Sequence, residues 1–115
     1  MLLRGGERDG YRVLAPVTLQ AMTELQTAGI PMSSPLGDVA SSYGLGFSKA
    51  VMHGDNGPSR ELRTPLGFGH GGATGTYLLV EPELDLAIVL LTNRWGMDVP
   101  HHKRIFNALI AAASV

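Results

Sequence analysis

"YLLVEPELDLAIVLL", residues 77–91, decides the fold class. Its length approaches that of a membrane span, but Glu81, Glu83 and Asp85 interrupt it around Pro82, and charges at that density are costly in a bilayer. The stretch reads instead as two strands, residues 77–80 and 86–92, which "EPELD" is short enough to join as an antiparallel hairpin. The three acids then sit around a turn, where charge means solvent and not general acid chemistry. "LAIVLL" is apolar on both faces, so helices should cover both sides of the sheet to which it belongs.

One such helix follows the hairpin. Asp98 is placed to cap it and Pro100 falls in its first turn, while Ile105, Phe106, Leu109, Ile110 and Ala113 form one apolar stripe. His101 and His102 are expected in solvent in that first turn, and Trp95 is expected to cover the core. Towards the N-terminus, Asp9 and Gly10 signal a turn. Leu19, Met22 and Leu25 recur at helical spacing, predicting a helix over residues 17–28 that Gly29 stops. Residues 30–42, with Pro31, Pro35 and Gly37, show no period and read as a wandering loop. Tyr43, Leu45 and Phe47 alternate with small residues as a half-buried strand does, and Asp55, Asn56 and Gly57 turn the chain back. The expected fold is α+β: an antiparallel sheet of about three strands with flanking N- and C-terminal helices, residues 1–115 forming a single domain.

Composition narrows the function classes. A net charge of -1 and scattered basic residues leave no footprint for nucleic acid. The absence of cysteine removes disulfides, thiolate catalysis and Cys-based zinc sites together. "MLLRGGERDG" lacks the apolar core of a signal peptide, so the expected location is cytoplasmic if Met1 is the true start and otherwise open. Neither a metal nor a cofactor is expected: adjacent histidines at 101 and 102 point about 100° apart on a helix, and the spacing of His53 and His70 asks for no metal.

The chemistry concentrates in "GFGHGGATGT", residues 67–76, where five glycines surround His70. Gly67, Gly69 and Gly72 match a dinucleotide fingerprint, but "RELRTPL" before them is no buried strand and a strand, not a helix, follows. Two readings remain. In one, the glycines serve backbone shape alone, with His70 bonded to nearby backbone. Alternatively, a histidine at a glycine-lined strand edge presents a titratable group beside backbone N–H groups that can face a developing oxyanion.

"FGHGGATGTYLLVEPELDLAIVLLTNR", residues 68–94, resembles the third-motif strand and following hairpin of the serine β-lactamase-related hydrolases, the family of class C β-lactamases, DD-peptidases and related esterases. "LLRGGERDGYRVLAPVTLQAMTELQT" is similar to the helix, turn and helix that precede that strand, and "YGLGF" to its next strand. The resemblance implies the C-terminal part of a β-lactamase/transpeptidase-like fold. It places the third motif, Lys-Thr-Gly or His-x-Gly, on His70, Gly71 and Gly72. His70 and the Ala73 backbone N–H are then the implied catalytic groups, with Gly71, Gly72 and Thr74 against the substrate.

The sequence also departs from the family. No serine has lysine three positions later, and no tyrosine begins Tyr-x-Asn, so the nucleophile and its base are expected from another segment. Histidine in place of lysine removes a permanent cation, and Gly71 removes a hydroxyl, which favours an ester or amide over a β-lactam anchored by its carboxylate. Two functions are carried forward. The chain contributes one wall of a serine hydrolase site acting on a small ester, amide or β-lactam, or it is a noncatalytic module whose exposed sheet edge makes it a homo-oligomer.

Overall fold

The computed structural model describes residues 1–34, 37–49, 62–93, 95 and 99–114. The expected turn at Asp55–Gly57, the Asp98 cap and His53 lie outside them.

The hairpin forms as expected, with β7 at Tyr77–Glu81 and β8 at Leu86–Leu90. A 3-10 turn at Pro82–Leu84 joins them, and Asp85 closes it in the left-handed region at φ 48°. Before the hairpin, β6 (Phe68–Gly71) pairs antiparallel with β7, and the two-residue strand β5 (Ser48–Lys49) pairs with β6. The sheet is therefore four-stranded in the order β5-β6-β7-β8, one strand more than expected. Two ribbons stand apart from it. Glu7–Arg8 (β1) and Tyr11–Arg12 (β2) form a hairpin through the Asp9–Gly10 turn, and Pro31–Ser34 (β3) pairs with Gly37–Ala40 (β4).

The β3–β4 ribbon replaces the expected loop. A ladder of backbone bonds needs no apolar alternation, and Pro31 is tolerated because it opens its strand. The strand expected over Tyr43–Phe47 is instead a bend, with Tyr43 held in a single bridge to Ser48. Gly46 adopts φ 95°, a turn conformation that breaks the pleat. The N-terminal helix α1 spans Pro16–Thr23 and stops five residues early. Thr23 Oγ1 donates back to the Leu19 carbonyl at 2.9 Å, and the Gln26 and Thr27 amides donate to Tyr43 O instead of continuing the helix. The segment before α1 is a 3-10 turn (Leu2–Arg4) and the β1–β2 hairpin, in place of the helix and turn expected.

The C-terminal helix α2, Val99–Ala113, packs against β8. Tyr77, Leu79 and Ile88 meet Phe106 and Ile110 in the core, with the Tyr77 and Phe106 rings edge to face at 5.3 Å. The buried stripe of α2 is His102, Phe106 and Ile110, a strict four-residue spacing, whereas Leu109 is 44% exposed. His102 is thus a core residue and not a solvated one, and Trp95, 80% exposed, covers nothing among the described residues. β8 is covered on one face only, since Val89 is 63% exposed. Glu81 corrects the reading of the turn acids: its side chain is completely buried.

Candidate active site

His70 sits on β6 opposite Leu78, which in turn pairs with Val89, so the three form a cross-strand row. Strand alternation puts that row on the sheet face away from Phe106 and Ile110, and His70 is exposed there. Gly71 ends the strand opposite Tyr77. The chain then makes a tight turn through Gly72, Ala73, Thr74 and Gly75 before β7 begins.

That turn is tied from three sides. The Gly72 N–H donates to Thr76 O at 2.8 Å, and the Gly75 N–H donates to Gly72 O at 2.9 Å. Thr92 Oγ1, just beyond β8, donates a short hydrogen bond to Thr74 O. Beneath it, the backbone of Gly75 lies close to the buried His102 ring, where an added Cβ would come within 3.1 Å of Cε1. Among the described residues, no acceptor takes the Ala73 N–H. The arrangement is a fixed backbone donor two positions beyond an exposed imidazole-bearing strand end, and fixed donors of this kind cost no reorganisation when charge develops beside them.

Two further residues bear on this geometry. Tyr43 brings its ring to His70, with centroids 6.2 Å apart and planes at 65°. Ser48 Oγ donates to Gly69 O at 3.0 Å and secures β5 to the strand. Neither was identified as a site residue from its local sequence, where Tyr43 reads only as part of a strand, because both reach β6 across a sequence separation of more than twenty residues. The bend that replaces a strand at 44–46 is what carries Tyr43 there.

The approach to β6 is held by acids from the far end of the hairpin. Glu81 Oε2 accepts from the Thr64 N–H at 2.9 Å and from Thr64 Oγ1 at 2.5 Å, and Glu81 Oε1 lies 3.5 Å from the buried Arg63 Nε. Glu83 accepts from the Leu66 N–H at 3.1 Å. Lys49 donates from Nζ to Leu66 O at 3.3 Å, and burial, reinforced by the Arg63 charge, holds its pKa below the ordinary lysine value. No group of three His, Cys, Asp or Glu side chains suited to a metal occurs among the described residues. No helix among them is long and apolar enough to cross a membrane. The dinucleotide pattern fails on the same geometry: Gly69 lies within a strand, and a second strand follows Gly72.

The family model described as Beta-lactamase matches residues 2–113. Among solved structures, a β-lactamase from Mycobacterium bovis aligns with a TM-score of 0.80 at 26% identity, over 99% of this chain and 41% of its own. A novel penicillin-binding protein homologue from Caulobacter crescentus aligns with a TM-score of 0.67 at 22% identity, over 99% of this chain and 29% of its own. The chain therefore spans less than half the length of either structure. No curated protein matches this sequence.

Proposed function

Because this chain belongs to the β-lactamase family, we propose that it is the C-terminal part of a serine hydrolase working through an acyl-enzyme, residues 1–115 forming one partial domain of it. The observation that carries this reading is the tied turn at Gly72–Gly75, with its Ala73 N–H unclaimed among the described residues, directly after the exposed His70. In this role the Ala73 amide is an oxyanion donor, and His70 orients the substrate and assists proton movement near the nucleophile. Gly71, Gly72 and Thr74 lie along the acyl group. The nucleophile and its base come from a segment outside these residues, which hold neither Ser-x-x-Lys nor Tyr-x-Asn. With histidine where the family commonly has lysine, the favoured substrate is an ester or amide, ahead of a β-lactam anchored by its carboxylate.

The test uses the whole gene product from its source cells. A serine-directed phosphonate should label one serine outside residues 1–115, and ester turnover should fall about 10²- to 10³-fold in Ala73→Pro, which deletes the N–H. Labelling of a serine within residues 1–115, or full activity in Ala73→Pro, would overturn the reading.

A second reading is favoured by Val89, Leu91 and Trp95, which are 63%, 77% and 80% exposed at and beyond β8. In it, a product of 12.2 kDa is a noncatalytic module that self-associates through this edge. A monodisperse monomer at high concentration in sedimentation would count against it.

A further inference from the structure

Tyr43 is held in place by its backbone, not by its ring. Its carbonyl accepts from the Gln26 N–H at 2.9 Å, the Thr27 N–H at 3.2 Å and Thr27 Oγ1 at 3.2 Å. Its own N–H donates to Thr27 Oγ1 at 3.0 Å, and Ser41 Oγ donates to the same hydroxyl at 2.8 Å. The next residue leaves no room to drift. A Cβ at Gly44 would come within 2.3 Å of Met22 O and 2.6 Å of Glu24 O, so the bend is seated against the end of α1. On the other side, the Lys49 N–H donates to Ser42 O at 2.6 Å, tying the bend to the β5–β6 edge. This anchoring ends α1 early, as described above, and sets one half-buried aromatic ring against one exposed histidine.

We propose that Tyr43 is a positioning residue for His70, its ring fixing the orientation of the imidazole at the mouth of the site. This rests on the reading that His70 takes part in acyl hydrolysis. An exposed histidine on a strand otherwise exchanges among rotamers; Gly69 and Gly71 lie on the other face, so His70 meets Leu78 across the strand pair and the Tyr43 ring beside it. An edge-to-face partner supplies the restraint through the ring quadrupole. The ring carries the effect, so phenylalanine should substitute for tyrosine. The Tyr43 phenol has no assigned part in proton transfer.

Two measurements on the full-length protein test this. The first needs no activity: the His70 ring resonances are recorded by NMR at one pH in wild type, Tyr43→Phe and Tyr43→Leu. The expected result is unchanged His70 shifts in Tyr43→Phe, and loss of the ring-current shift in Tyr43→Leu. His70 signals that are the same in Tyr43→Leu as in wild type would overturn the proposal, whether or not the protein hydrolyses esters. The second is a double-mutant cycle on ester turnover. Tyr43→Leu should lower kcat about tenfold, the upper end of what an edge-to-face pair is worth, with KM nearly unchanged and with Tyr43→Phe restoring kcat. In the His70→Ala background the same substitution should change nothing. An equal loss in both backgrounds would make Tyr43 a packing residue and refute its action through His70.

Discussion

Replacing Glu81 should cost more stability than any other single polar change among the described residues, although its sequence context, an acid beside a proline in a hairpin turn, suggests the opposite. Its side chain is 0% exposed and that of Arg63 is 1% exposed, so both charges of this pair have left water. Glu81→Ala would leave the Thr64 N–H and hydroxyl without their acceptor and would remove the carboxylate that faces the buried Arg63 guanidinium. Breaking a buried pair from one side costs about 3–5 kcal/mol, and each orphaned donor about 1–3 kcal/mol. These losses overlap, because water entering the gap would serve all three groups at once, so the expected total is about 4 kcal/mol. Against a typical stability of about 5–15 kcal/mol, that is a large fraction. The assay is urea unfolding followed by circular dichroism, reading the midpoint at constant slope. Glu81→Gln keeps the shape and one acceptor and should lose roughly half as much. A paired Arg63→Met, Glu81→Leu variant should recover only part of the loss, since apolar replacement of both partners removes the desolvation penalty with the charges but still leaves the Thr64 donors without their acceptor. Gly67→Ala should also destabilise, because its Cβ would fall 2.5 Å from Glu81 Oε2. A Glu81→Ala midpoint corresponding to less than about 1 kcal/mol would refute the argument that this carboxylate organises the approach to β6.

On α2, Phe106→Ala should cost about 3–5 kcal/mol in the same assay and Leu109→Ala less than about 1 kcal/mol, since the first is fully buried and the second is 44% exposed. Equal losses would mean that the helix is rotated from the position described. Thr92→Val should speed amide exchange at Gly72 and Gly75 by loosening Thr74 O from its donor, with little change in global unfolding; unchanged exchange would show that the backbone bonds alone hold the turn. For Lys49, the folded pKa lies below the unfolded value of 10.5, so between those two values the unfolded chain binds the extra proton and stability rises with pH. Lys49→Met should remove that rise from the difference in urea midpoints as pH approaches 10.5. A difference between the two proteins that is flat with pH would contradict it.

The hairpin was legible because both of its strands are long apolar runs and its turn residues are polar, so local pattern and tertiary environment agree. β7 ends at Glu81 and β8 at Leu90, each within two residues of the expected limit. Glu81 itself was not legible. A carboxylate that faces solvent and one that faces Arg63 and Thr64 have the same neighbours in sequence, and the deciding partners lie 17 and 18 positions away. His102 was misread as surface because it is one of two adjacent histidines, although it stands four and eight residues before Phe106 and Ile110 on the buried stripe, where the turn residue Gly75 approaches its ring. The early end of α1 belongs here too, because leucine and methionine at helical spacing could not report that Tyr43 would claim the Gln26 and Thr27 amides. The candidate site stood out because glycine clustering is a backbone signal and survives without knowledge of partners. What it could not carry was the aromatic ring that meets His70, since that contact depends on a bend in place of the expected strand.

These contacts divide the control of the candidate site between the two ends of the hairpin. At the Tyr77 end, the turn is held by bonds within residues 72–76, by Thr92 and by packing on His102, all close to the Ala73 N–H proposed as an oxyanion donor. At the Glu81 end, the carboxylate holds Thr64 and the buried Arg63, and thereby the direction from which the chain enters β6. His70 lies between, two residues after the entry and two before the turn. A perturbation at Thr92 should therefore weaken oxyanion stabilisation while leaving His70 in place, and one at Glu81 should move His70 while the turn keeps its own bonds. If substitutions at both positions shifted the His70 resonances equally, the strand and its turn would be moving as one rigid piece, and the separate roles given to the two anchors would fail.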